Sequence, residues 1–148
     1  MPRILIIDDE PLVRAVLRDI LERHGHTVME APDGRAGLAL WQHTPSDLVL
    51  TDMFMPDMDG IEVIVRLTQV WPQVKIIAMT GGAKHGNFMS TVAPAAIRLG
   101  ARHMLIKPFT IRTLLTVIEA VLNPERGIRD DNAHPETLLL EARSYEPT

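Results

Sequence analysis

The sequence predicts an α/β fold, a doubly wound parallel sheet of five strands covered by helices. Three observations carry that prediction. Short runs rich in Ile, Val and Leu alternate five times with longer stretches of helical period, and strands buried on both faces read as such continuous apolar runs. Acidic, hydroxyl or basic residues stand at the ends of four of the five runs, where an open parallel sheet gathers its ligands. The length, 148 residues, suits one domain with a core of its own.

The first strand is expected over Arg3 to Ile7. A helix follows from Pro11 to Arg23, with Pro11 in its first turn, Leu12, Val16, Ile20 and Leu21 as its apolar stripe, and Gly25 ending it. Strand two covers Thr27 to Glu30, and Asp33 caps a helix running through Ala36, Leu40 and Trp41. Strand three is Leu48 to Thr51. The turn Met55-Pro56-Asp57-Met58-Asp59-Gly60 leads into a helix carrying Ile61, Ile64, Val65 and Leu67, which stops before Pro72. Strand four spans Lys75 to Met79. Gly81, Gly82 and Gly86 then predict a loop, and Pro94 predicts a short or kinked helix between Asn87 and Leu99. Strand five is His103 to Ile106. The last core helix runs from Ile111 to Leu122 with Leu114, Leu115, Ile118 and Val121 on one face.

The domain is therefore assigned to residues 1–123. Residues 124–148 read as a tail, part flexible and part short helix around Leu138-Leu139-Leu140, and too few for a DNA-binding effector domain. The chain has no cysteine, which excludes disulfides, thiolate zinc sites and cysteine nucleophiles and favours a reducing compartment, the cytoplasm. Neither a signal peptide nor a membrane span is legible. A net charge of −4 argues against nucleic acid as the main ligand.

Four strand ends hold the candidate chemistry: Asp8-Asp9-Glu10, Asp52, Thr80 and Lys107-Pro108. Converging carboxylates repel one another, and a hard divalent cation, Mg²⁺ above all, relieves the repulsion while leaving room for phosphate. Lys107 and Thr80 offer a cation and a hydroxyl donor for phosphoryl oxygens. A carboxylate can itself be the nucleophile in phosphoryl transfer, and Asp52, alone at the end of its strand, is the best placed.

Together Ile4-Leu5-Ile6-Ile7-Asp8-Asp9-Glu10, the run from Asp52 to Gly60, Thr80 and Lys107-Pro108-Phe109 resemble the response regulator receiver family over about residues 3 to 122. The resemblance implies a flavodoxin-like sheet of order 2-1-3-4-5. It implies that Asp52 is phosphorylated, that Asp9 and Asp52 ligate Mg²⁺ directly, that Asp8 acts through metal-bound water, and that the backbone carbonyl of Phe54 completes the protein's share of the shell. Thr80 and Lys107 would hold the phosphoryl group, and the Lys107-Pro108 bond would be cis. The implied donor is a phosphohistidine on a sensor histidine kinase or phosphotransfer protein, and the receiver itself catalyses transfer and later hydrolysis. It would be a self-modifying switch for a downstream protein target, with homodimerisation left open.

Two departures from the family's pattern stand out. Met104 occupies a position where the family usually has Tyr or Phe, and 19 residues separate Thr80 from Gly100, a long stretch holding Lys84, His85 and Asn87 that is expected to report phosphorylation. His85 reads as a solvated histidine, and the methionines around Phe54 as cover for the sheet end. Two other readings compete. One is a phosphatase resembling the haloacid dehalogenases, with Asp8 as nucleophile, but Glu10 stands where its general acid would be Asp. The other is an interaction module with the same fold regulated without phosphate, against which the intact acidic pair, acceptor, threonine and lysine all count.

Overall fold

The computed structural model describes residues 1–81 and 88–127. Five strands, β1 (Arg3–Ile7), β2 (Thr27–Ala31), β3 (Leu48–Asp52), β4 (Ile76–Gly81) and β5 (His103–Lys107), alternate with α1 (Pro11–Arg23), α2 (Gly34–His43), α3 (Gly60–Val70), α4 (Phe88–Leu99) and α5 (Ile111–Leu122). A single turn of helix, α6 (Pro124–Gly127), opens the segment expected to be a tail, whose remaining residues, Leu138 to Leu140 among them, lie outside the described residues. All strand pairs are parallel, in the order β2-β1-β3-β4-β5, as expected.

Side chains alternate across the sheet and so divide the core in two. Leu5, Ile7, Val49, Ile76, Ala78 and Met104 pack with residues of α2, α3 and α4. Ile4, Ile6, Leu48, Leu50, Ile77, Met79 and Leu105 pack with Leu17 and Leu21 of α1 and with Leu114, Val117, Ile118 and Val121 of α5. Burial on both faces is why β1, β3 and β4 read as near-continuous apolar runs, whereas the edge strand β2 carries Thr27 and Glu30.

The helix periods place their stripes less well than the strands. In α1 the buried residues are Leu17 and Leu21, flanked by Val13 and Ile20, whereas Leu12 and Val16 are 76% and 44% exposed. The expected stripe thus sits about one position off, because apolar residues at 12, 13, 16, 17, 20 and 21 satisfy two overlapping helical phases and periodicity cannot choose between them. Strands two to five each run one or two residues longer at the site end than the sequence predicts, so Thr80 lies inside β4 rather than beyond it. Helix α4 passes through Pro94 and reaches 12 residues. It starts at Phe88, and most of the expected reporter loop, with Lys84 and His85, falls outside the described residues.

Trp41 and Trp71 meet at the opposite end of the sheet, ring centroids 4.1 Å apart and planes tilted by 56°. They line a cleft of about 600 Å³ with Met1, Asp47, Lys75 and Leu122, beside the strands' N-terminal ends. Among the described residues no helix is long and apolar enough to cross a membrane.

Candidate functional site

Parallel strands all point their carboxyl ends the same way, so the residues that close them are neighbours by topology alone. Asp52 closes β3, Lys107 closes β5, Thr80 is next to last in β4, and Asp8 and Asp9 follow β1. The strand order reverses between β1 and β3, and Asp8 and Asp52 flank that crevice.

The acidic residues converge as expected. Carboxylate oxygens of Asp8, Asp9 and Asp52 all lie within 4.8 Å of one another, an arrangement able to hold a metal ion. Asp8 is fully buried and Asp52 only 6% exposed, while Asp9 faces solvent. Lys107 reaches in from β5, its Nζ donating to Asp8 Oδ2 at 2.8 Å and standing 3.5 Å from Asp52 Oδ2. The Lys107-Pro108 bond is cis. Phe54 donates its backbone N–H to Asp52 Oδ1 at 3.4 Å. Thr80 is fully buried, in register with Ile106, and its Oγ1 has no hydrogen-bond partner among the described residues. A buried hydroxyl left without a partner at a cluster of charges is suited to an incoming acceptor oxygen.

Electrostatics follow from this crowding. Burial pushes the Asp52 carboxyl up, Asp8 and Asp9 push it further, and Lys107 and the Phe54 N–H only partly oppose them. For Lys107, burial alone would lower the ammonium, but Asp52 and Asp8 outweigh it and hold it above the ordinary lysine value. The site is thus an excess of negative charge with one committed cation, and it favours a second.

The turn after β3 is shaped to let α3 approach. Asp57 takes a left-handed φ of 66°, and Asp59 caps α3 by accepting from the Glu62 N–H at 2.9 Å. Gly60 then comes so close beneath Asp52 that a Cβ there would lie 2.4 Å from the Asp52 carbonyl oxygen and 2.7 Å from Met53 Cα. Met53, Met55 and Met58 are buried in the core, which agrees with their reading as cover for the sheet end.

Sequence reasoning missed two charged residues beside the site. Arg14 on α1 donates from Nη1 to the Asp8 carbonyl at 2.6 Å, and its Nε lies 3.4 Å from Glu30 Oε1 on β2. Only the pairing of β1 with β2, which sets Glu30 beside Ile6, could have brought these two together.

The comparison with known proteins matches residues 4–119 to the response regulator receiver domain. The chain belongs to the response regulator receiver family. It is 36% identical over 122 residues to the response regulator receiver protein CpdR of Brucella abortus (strain 2308), covering 82% of this chain and 98% of that protein. It is 37% identical to the DNA-binding transcriptional regulator NtrC of Azospirillum brasilense, covering 81% of this chain but only 24% of that regulator. A crystal structure of a receiver domain protein from Clostridium thermocellum superposes with a TM-score of 0.77 at 29% identity, covering 86% of this chain and 99% of that one. The chain is accordingly a receiver domain of two-component signalling, a family of signalling switches that work with histidine kinases and downstream effectors.

Proposed function

We propose that Asp52 accepts a phosphoryl group from a phosphohistidine of a sensor histidine kinase or phosphotransfer protein, with the help of Mg²⁺. The observation that carries this is the placing of the buried Asp52 carboxylate within reach of Asp8, Asp9 and Lys107 at the end of β3. An Asp52 oxygen attacks phosphorus, the P–N bond to the donor imidazole breaks, and its electron pair leaves with the imidazole nitrogen. Lys107 stands ready to neutralise phosphoryl oxygens, and Thr80 Oγ1, without a partner among the described residues, to donate a hydrogen bond to one of them.

The oxygen-only, carboxylate-rich donor set fits a small hard cation. When bound, Mg²⁺ supplies charge neutralisation between the carboxylates and the transferring phosphoryl group. Asp8, Asp9, Asp52 and the Phe54 carbonyl would hold it. Asp8 suits a supporting role, since its Oδ1 accepts the Glu10 N–H at 2.9 Å and its Oδ2 the Lys107 ammonium. We assign the switching unit to residues 1–123, hydrolysis of the aspartyl phosphate to the same site, and the readout to the segment after Thr80, α4 and β5.

The test is intact mass after incubation with Mg²⁺ and acetyl phosphate, beside an Asp52→Asn variant. A phosphoryl adduct on the wild type alone is expected. Adducts on both would move the acceptor elsewhere, and no adduct from either acetyl phosphate or a phosphorylated kinase would point to a module regulated without phosphate.

A further inference from the structure

Every backbone and carboxylate polar atom of Asp8 is engaged. Its N–H donates to the Ala31 carbonyl at 3.2 Å, its Oδ1 accepts from the Glu10 N–H, its Oδ2 from Lys107, and its carbonyl from Arg14. The Arg14 contact differs from the rest, because a carbonyl held in place fixes the plane of the peptide that follows it. That peptide leads into Asp9, the one exposed carboxylate of the cluster. Arg14 is itself held: its guanidinium faces Glu30, which also pairs with Arg18, and Arg18 pairs in turn with Glu22 at 2.6 Å. The Arg14 side chain is only 16% exposed, so its rotamer is set by packing as well as by charge. Its positive charge is directed at a carbonyl and at Glu30, which leaves the three carboxylates available to a cation.

From this geometry we infer that Arg14 is the positioning residue of the acidic cluster, orienting Asp9 through the Asp8-Asp9 peptide, with Glu30 as the counter-charge that locks it. The inference rests on the Mg²⁺ reading above. Groups that orient the residues around a metal are worth about 10 to 100-fold in affinity.

The experiment is a MgCl2 titration of the full chain, followed by the backbone amide NMR signals of residues 8–10 and 52–54. Arg14→Met should weaken Mg²⁺ binding by about 10-fold. Arg14→Lys, which keeps a cationic donor on a shorter side chain, should recover part of the loss, and Glu30→Gln should weaken binding by a smaller factor. The Mg²⁺ concentration giving half-maximal labelling by acetyl phosphate should rise in the same order. Equal dissociation constants in wild type and Arg14→Met would overturn the inference, even if the variant melts earlier, since that is the mark of a merely structural arginine. Should Arg14→Met fail to fold, Glu30→Gln decides: an unchanged constant there also overturns it. A wild type that binds no Mg²⁺ would overturn the metal reading and this inference with it, an outcome distinct from the other two.

Discussion

Asp52 carries a cost that the proposed chemistry requires. Burial and the nearby Asp8 and Asp9 raise its carboxyl, so the folded protein holds that charge less easily than the unfolded chain does. The sign is definite. A carboxyl raised on folding destabilises above its folded value, and the penalty fades as pH falls toward the ordinary aspartate range. Asp52→Asn should therefore raise the unfolding temperature of the Mg²⁺-free protein at pH 7, and Mg²⁺ should narrow the gap; thermal unfolding with and without the metal checks both. Gly60 makes the opposite kind of demand. Its close approach to the Asp52 carbonyl leaves no space for a methyl group against rigid backbone, so Gly60→Ala should destabilise by about 1–3 kcal/mol in urea unfolding, as overpacked sites do. The Asp8, Asp52, Thr80 and Lys107 positions were legible because each sits at a strand end. Arg14, Glu30 and the tightness at Gly60 were not, since each depends on distances between elements that no local pattern encodes.

Among the elements, α1 shows where pattern reading meets its limit. Two adjacent apolar ridges run along it, and only packing against β1, β2 and α5 selects the one that contains Leu17 and Leu21. Leu17→Ala should then cost about 2–5 kcal/mol, while Leu12→Ser and Val16→Ser should stay within about 0.5 kcal/mol in the same urea titration. The inner strands were easier to read than the helices because burial on both faces makes β1, β3 and β4 near-continuously apolar, a signal that needs no phase. Their ends were harder: ladder hydrogen bonds carry β4 on through Thr80 to Gly81, although polar and glycine residues there suggest a loop. Helix α4 continues past Pro94 for a related reason, since Ala93 and Ala96 pack on the core and tertiary contact overrides the lost N–H.

At the scale of the whole molecule, two histidines among the described residues, remote from the acidic cluster, add a second dependence on pH. Burial lowers His103, opposed in part by its hydrogen bond with the Met104 backbone, and burial together with His24 lowers His26. Folding favours the neutral form of both, so the stability they contribute is fully present above the ordinary histidine value of about 6.5 and is lost as pH falls below it. The urea midpoint should drop between about pH 7.5 and 5.5, and His103→Gln should remove part of that drop.

The two tryptophans bear on how such measurements can be made. They are the chain's only two, they sit together, and β3 alone, at five residues, separates their end of the sheet from Asp52 by roughly 16 Å. Their ultraviolet emission is therefore a gauge of whether the sheet and its helices hold together, insulated from direct quenching by a metal or phosphoryl group at the far end. An optical melt of this protein reads integrity without reading signalling state, and a probe of the switch has to be placed at the other pole.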